Sequence, residues 1–315
     1  MSTAVVTSKS LVGHITPEGH PESPQRLIAV LDQLKTIPNI TWLLPRLATI
    51  EELCLAHSKE YVALVAHEVL SLQQCPGIRF LSTGDVTICP DSFDRASLAA
   101  GCVLTACDAV MRQEVKNAFC VVRPPGHHAT RDKGMGFCLF NNVAIGALYL
   151  RKVYGITRVL IVDWDLHHGN GTQDIFYEDP GVFYFSTHQE GLYPGTGKSF
   201  EEGIDKGFGT TLNCPIQPGA NSAQAVISAF QDKLLPALES YKPEFVLISA
   251  GFDAHKEDPL GGLSLTEEHF ASLTNIVKEI AKKWANERIV SVLEGGYNLT
   301  TLARSAKEHF LVLCS

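Results

Sequence analysis

The chain of 315 residues predicts an α/β protein built on a parallel sheet, and three observations carry that expectation. Short apolar runs without polar alternation recur along the chain, at residues 119–122, 158–162, 182–186, 245–249 and 289–293. They are rich in β-branched and aromatic residues, as strands covered on both faces are. Helical spacings of apolar residues lie between and around them. A polar or glycine-rich segment follows the end of each run.

In chain order, Leu27, Val30, Leu31 and Leu34 share one helix face before the first run. Val226, Ile227, Phe230, Leu234 and Leu238 form a second face, between the third and fourth runs. Phe270, Leu273, Ile276, Val277 and Ile280 form a third, between the fourth and fifth. Strands alternating with helices imply a parallel sheet with helices on both sides. There is no internal repeat, low-complexity tract or linker, which favours one large domain over residues 1–315.

Composition narrows the function classes. A hydrophobic fraction of 45% with 19% charged residues suits a chain with a sizeable core. Lys plus Arg number 26 against 34 Asp plus Glu, a net charge of -8, which disfavours direct nucleic-acid binding. The densest basic pair, Lys282-Lys283, reads as a solvated helix face. No apolar run approaches the roughly 18 residues that span a bilayer, and residues 1–11 lack the apolar middle of a secretory signal. Nine cysteines without a Cys-x-x-Cys pair read as reduced, mostly buried thiols, Cys107, Cys120 and Cys138 among them. The expected location is the cytoplasm, where the sequons at Asn39, Asn170 and Asn298 are chance matches.

The segments at the strand ends carry the chemistry. They are Arg-Pro-Pro-Gly-His-His (123–128), Asp-Trp-Asp-Leu-His-His-Gly (163–169), Ser-Thr-His (186–188), Ala-Gly-Phe-Asp-Ala-His (250–255) and Glu-Gly-Gly-Tyr (294–297). Open parallel sheets bind ligands outside the carboxyl ends of their strands, so these loops should converge. Asp165 and His167, two apart on extended chain, point to one side and offer ligands to a divalent transition ion. Asp253 supplies a third, leaving a position open for water and substrate. A single strand-end Asp would more simply cap a loop; three convergent ligands favour a metal. His127-His128 suit proton transfer near neutrality, and Asp163 is the orienting partner. Tyr297 is a candidate donor to a developing oxyanion, although Gly-Gly-Tyr alone is a weak signal. Gly136-Phe137 and Tyr193 place aromatics beside turn glycines, as walls of a narrow apolar slot would.

These motifs, with Gly-Phe-Cys-Leu-Phe-Asn-Asn (136–142), Tyr-Pro-Gly-Thr-Gly (193–197), Asp-Pro-Leu-Gly (258–261) and Gly-His-Pro-Glu-Ser-Pro-Gln-Arg (19–26), strongly resemble the zinc-dependent histone deacetylase family. The wording is most similar to its class II branch and its bacterial deacetylase-like relatives, and runs from about His14 to about Tyr297. The resemblance implies the arginase/deacetylase fold, a parallel sheet of about eight strands between helical layers. It implies a metal-dependent amidohydrolase that removes acetyl or related acyl groups from the lysine side-chain amine of proteins or peptides. Asp165, His167 and Asp253 would hold one Zn2+, a set that also tolerates Fe2+. His127, His128, Asp163 and Tyr297 would be the catalytic groups, with a water activated at the metal, a histidine taking its proton and Tyr297 holding the oxyanion. Asn170 would partner His128, a weaker support for an imidazolium than the Asp of many relatives. Gly136, Phe137, Tyr193 and Leu260 would line the substrate tunnel, Tyr193 standing where relatives usually have Phe. Arg26 would support the site from behind. Asp163, Asp165, His167, Ser186 and Thr187 fall where the family binds K+ or Na+.

Three rivals bear on this reading. A dimanganese ureohydrolase needs carboxylates two residues beyond His167 and Asp253, where Gly169 and His255 stand. An acetylpolyamine or other small N-acyl-amine hydrolase shares the motifs, but the polyamine-selective class II member has an acidic residue where Leu260 stands. A non-catalytic binder is disfavoured because every expected catalytic side chain is present.

Overall fold

The structure is a computed structural model that describes residues 2–74 and 76–315. The chain begins with β1 (Thr3–Val6), α1 (Pro24–Leu34), β2 (Thr41–Leu43), α2 (Ile50–Leu53) and α3 (Lys59–Gln74). A small antiparallel pair follows, β3 (Arg79–Phe80) and β4 (Thr87–Ile88), and then α4 (Ser92–Met111), β5 (Asn117–Cys120) and α5 (Asn142–Tyr154). Next come β6 (Val159–Asp163), α6 (Asn170–Phe176), β7 (Val182–Gln189), β8 (Thr211–Ile216), α7 (Ser222–Ser228) and α8 (Leu235–Tyr241). The last elements are β9 (Phe245–Ala250), α9 (Glu267–Trp284), β10 (Ile289–Leu293) and α10 (Leu299–Cys314). Eight strands form one sheet in the order β2-β1-β5-β10-β9-β6-β7-β8, with every pairing parallel. β5, β6, β9 and β10 are buried at every position, the burial expected of runs covered on both faces.

The four strands at the centre end level with one another. Asp163 of β6 is in register with Ser249 of β9, Ser249 with Val292 of β10, and Val292 with Cys120 of β5. The loops that leave this row are therefore neighbours in space although they are spread over some 175 residues of sequence (123–128 to 294–297).

Several boundaries differ from expectation for identifiable reasons. The run at 119–122 forms a strand at Asn117–Cys120, because β1 and β10 supply partners only as far as Cys120. β7 continues through Ser186, Thr187 and His188 to Gln189, since β8 pairs alongside it to Gln189↔Ile216 and all three polar side chains are buried. β1, β2 and β8 lie outside the five expected strands; β8 is an edge strand, where Pro215 costs no ladder bond on its open side. The helix expected across residues 226–238 is divided by a π-helical stretch, Ala229–Leu234, just before Pro236, which has no N–H to continue the ladder. Val226, Phe230, Leu234 and Leu238 nevertheless all face the core. α1 and α9 bury the expected faces, with Ile276 only partly covered, and both pack on α10.

Among the described residues all eight cysteines are free, six of them buried, Cys54 half-buried and Cys314 exposed; Cys75 lies outside the described residues. No helix among them is long and apolar enough to cross a membrane.

Candidate active site

The loop after β6 and the loop after β9 meet first. The ligand atoms of Asp165, His167 and Asp253 all lie within 4.8 Å of one another. His167 Nδ1 sits 3.2 Å from Asp165 Oδ1 and 3.1 Å from Asp253 Oδ2. The carboxylates are held from behind by backbone donors: Leu166 N to Asp253 Oδ1 at 2.9 Å, His167 N to Asp165 Oδ1 at 2.9 Å, and Gly295 N to Asp165 Oδ2 at 2.7 Å. Gly295 is required for that approach, since a Cβ there would fall 2.2 Å from Asp253 Oδ2.

Two buried carboxylates this close oppose each other's ionisation. Burial and the charge of Asp165 push the Asp253 carboxyl up to about 7. Burial also acts against the Asp165 charge, but His127 and His167 outweigh it and hold that carboxyl well below the usual range. Two carboxylate oxygens and an imidazole nitrogen, gathered within one largely buried cluster, fit a divalent transition ion.

The turn after β5 brings in the histidine pair. His127 Nδ1 lies 3.1 Å from Asp163 Oδ2, and His128 Nδ1 lies 2.8 Å from Asn170 Oδ1. The ring centroids are 4.0 Å apart, and the His128 ring is 6.0 Å from that of His167. Burial works against charge on His127, but Asp165 and Asp163 overcome it and raise its proton affinity to about 10. Burial, His127 and His167 together hold His128 well below its ordinary value.

Tyr297 arrives on the loop between β10 and α10. Burial, and then the nearby Asp253 charge, push its phenol well above the ordinary tyrosine range, so it is a donor throughout the neutral region. Its ring lies 6.1 Å from that of Phe137 and 5.0 Å from the Arg26 guanidinium. Phe137 itself has φ +68°, an uncommon conformation for an aromatic residue.

These groups open into a cavity of about 160 Å³ lined by Asp85, His128, Gly136, Phe137, His167, Tyr193, Leu260 and Tyr297. All four residues expected to contact substrate are among them. Tyr193 (38% exposed) and Leu260 (36% exposed) mark its rim. A wider hollow of about 790 Å³, between residues 15–25 and Pro259-Leu260, adjoins it at Leu260 and Tyr297.

The residues expected around a monovalent cation lie where β6 and β7 run side by side, with Asp163 in register with Ser186. Asp165 N donates to Asp163 Oδ1 at 3.1 Å, and Ser186 Oγ is 2.9 Å from His188 Nδ1.

Arg26, on α1, is fully buried and reaches the Tyr297 loop directly. Its Nε donates to Gly296 O at 2.6 Å, its Nη2 to Glu294 O, and its Nη1 to Glu22 Oε1 at 3.0 Å. Glu22 is also gripped by Arg123, Nε to Oε1 and Nη2 to Oε2, both at 2.7 Å.

Sequence reasoning missed four supporting acids. Glu22, Asp258 and Glu294 fell inside quoted motifs without a role, and Asp85 lay in none. Glu294 is buried behind the histidine turn, where its Oε2 accepts from Gly126 N at 2.7 Å and His127 N at 3.2 Å. Burial pushes its carboxyl up to about 7. Asp85 Oδ1 accepts from Gly136 N at 2.9 Å. A buried acid following the strand at 289–293 was the available signal for Glu294; an exposed Asp in a Thr-Gly-Asp turn offered none for Asp85.

This architecture is the arginase/deacetylase fold: the solved structure of the HDA15 HD domain superposes with a TM-score of 0.91 at 37% identity, covering 99% of this chain and 88% of that one. The histone deacetylase domain matches residues 20–313. "Histone deacetylase 10, chloroplastic" of Oryza sativa subsp. japonica is 39% identical over 95% of this chain and 70% of its own length. "Polyamine deacetylase HDAC10" of Homo sapiens is 42% identical over 92% of this chain and 44% of its own length. The chain belongs to the histone deacetylase family, and it is a hydrolase that acts on acetyl-amides.

Proposed function

We propose that this chain removes acetyl or related acyl groups from the lysine side-chain amine of proteins or peptides, residues 1–315 acting as one catalytic domain. The observation that carries the reading is the narrow cavity itself. Its volume is only about 160 Å³, and it is lined both by the apolar or aromatic side chains of Phe137, Tyr193 and Leu260 and by His128, His167 and Tyr297.

Asp165, His167 and Asp253 would hold a zinc ion, which when bound supplies Lewis acidity to the acyl carbonyl and to a water molecule. The same donors accept ferrous iron. His128, kept neutral by burial and by its two histidine neighbours, takes a proton from the attacking water at its Nε2. The Tyr297 hydroxyl donates to the oxygen that gains charge as the carbonyl becomes tetrahedral. Asp163 fixes His127 Nδ1, so that His127 stands as a positive neighbour to the reacting atoms. The proton on the histidine pair then passes to the leaving amine. Asp163, Asp165, His167, Ser186 and Thr187 would surround a structural K+ or Na+ beneath the ligand loop.

One observation supports a second reading, hydrolysis of acetylated polyamines. Asp85 puts an exposed carboxylate in the cavity lining, although Leu260 is apolar, and a relative at 42% identity is named a polyamine deacetylase. A panel of acetyl-, longer acyl- and lactyl-lysine peptides plus acetylpolyamines, with and without chelator, tests both readings. The expected outcome is chelator-sensitive turnover with acyl-lysine peptides preferred. Preference for acetylspermidine would replace the first reading by the second, and turnover indifferent to chelator would overturn both.

A further inference from the structure

Asp258 belongs to the loop between β9 and α9 and does not line the catalytic cavity. It is 6% exposed, and its two oxygens serve two different parts of the site. Oδ2 accepts from Tyr297 N at 2.7 Å and from Asn298 N at 3.2 Å. Oδ1 accepts from Leu260 N at 3.0 Å. The acid is itself fixed, because its own N–H donates to His255 O at 2.9 Å and Pro259 restricts the next φ.

The Tyr297 loop is thus gripped at two points by oppositely charged side chains. Arg26 Nε holds the carbonyl of Gly296, and Asp258 holds the N–H of Tyr297. Bonds in which one partner is ionised are the stronger kind. Both flank a single residue whose side chain must meet a reacting atom, and a misplacement of about 1 Å at such a residue costs on the order of 100-fold in rate.

We propose that Asp258 is the positioning residue that sets Tyr297 against the metal-ligand cluster and couples that setting to the tunnel rim at Leu260. The proposal rests on Tyr297 being the oxyanion donor. Asp258 would act only through that tyrosine and that rim, without touching substrate.

The test is a double-mutant cycle in the metal-loaded enzyme with an acyl-lysine peptide, comparing wild type, Asp258→Ala, Tyr297→Phe and the double variant. Asp258→Ala is expected to lower kcat by about 10- to 100-fold. In the Tyr297→Phe background the same change is expected to cost less than about 3-fold, because the hydroxyl it positions is already gone. Asp258→Asn provides the rescue. Its one carbonyl oxygen can serve the paired donors of Tyr297 and Asn298 while its amide faces the Leu260 N–H, so kcat should recover most of the loss while KM rises. If the alanine protein does not fold, Asp258→Ser, whose shorter side chain cannot reach both sets of donors, takes its place in the cycle with the same expected loss. Amide exchange at Tyr297 and Asn298 is expected to quicken in whichever variant has lost the carboxylate contact, whether or not the enzyme is turning over. Equal kcat for wild type and Tyr297→Phe would refute the role of Tyr297 itself. A large Tyr297→Phe effect that multiplies with the Asp258 effect, or unchanged exchange at the two amides, would overturn the positioning role alone.

Discussion

The rings of His127 and His128 lie 4.0 Å apart, yet their surroundings drive their proton affinities in opposite directions. Both are buried, so burial alone would keep both neutral. Asp165 and Asp163 reverse that for His127, while for His128 the neighbouring His127 and His167 add to burial and together outweigh Asp165 and the amide oxygen of Asn170. One histidine is therefore prepared to carry charge and the other to accept a proton.

Replacing Asn170 by Asp should narrow this difference. A carboxylate 2.8 Å from His128 Nδ1 would raise the affinity of that ring for a proton. A base must be neutral to act, so activity would be lost earlier as pH falls. The acid limb of the kcat/KM profile should move up by about one pH unit. An unmoved limb would show that His128 is not the base.

Tyr297→Phe keeps the ring that packs near Phe137 and Arg26 but removes the hydroxyl. One oxyanion donor contributes about 2.7–4 kcal/mol, so kcat should fall about 100- to 1000-fold with metal content and melting temperature unchanged. Stopped assays with metal analysis on the same preparation check this. A kcat within 3-fold of wild type, on the order of 0.7 kcal/mol, contradicts the assignment.

Metal analysis should find one ion per chain. A second ion would need a carboxylate at position 169, yet a Cβ on Gly169 would fall 2.2 Å from Asp163 Oδ2. The other place is taken by His255, which is buried with its Nε2 3.3 Å from Glu267. Asp253→Asn should lose the ion and the activity together. Added zinc should raise the melting temperature of the wild type, because a ligand bound only by the folded state stabilises it. Two ions per chain would revive the dinuclear alternative.

Glu22 gives stability a pH dependence remote from the metal cluster. Burial pushes its carboxyl up, but Arg123 and Arg26 outweigh burial and bring it down to about 2. A folded-state value below the unfolded one means that the contribution is present at neutral pH and disappears as pH falls from about 4.5 towards 2. At about 1.4 kcal/mol per unit, the contribution is of order 3 kcal/mol. Urea unfolding of wild type and Glu22→Gln between pH 6 and pH 3 should show the wild-type advantage shrinking across that window. Parallel curves would count against the ion pair.

Leu260→Glu adds a negative charge at a rim position that is 36% exposed. An exposed pair contributes up to about 1 kcal/mol, so kcat/KM for acetylspermidine relative to an acetyl-lysine peptide should rise about 2- to 5-fold at low salt. The gain should shrink as salt is added. An unchanged ratio would mean that Leu260 does not meet the substrate's second amine.

Much of this site was legible because its chemistry sits in short segments at strand ends. Asp165 and His167 are two residues apart, and His127-His128 are adjacent, so local spacing reveals them. Asp253 and Tyr297 become interpretable once their runs are read as parallel strands. Asp85, Glu22 and Arg123 were not legible as a group. Arg123 and Glu22 are 101 residues apart, and neither sits in a local pattern that requires the other. β8 was hidden for a different reason: Asn213, Cys214 and Pro215 carry no apolar run, and only its partner β7 makes it a strand.

The shared level of Asp163, Ser249, Val292 and Cys120 has one more consequence. A slip of one position in any of these ladders would shift a loop by about 3.3 Å and turn its side chains to the opposite face. The reactive constellation therefore has no half-assembled version. During refolding, catalytic competence should emerge in step with the last of the central ladders, and a collapsed species with helices formed but mismatched hydrogen-bonding would be inert.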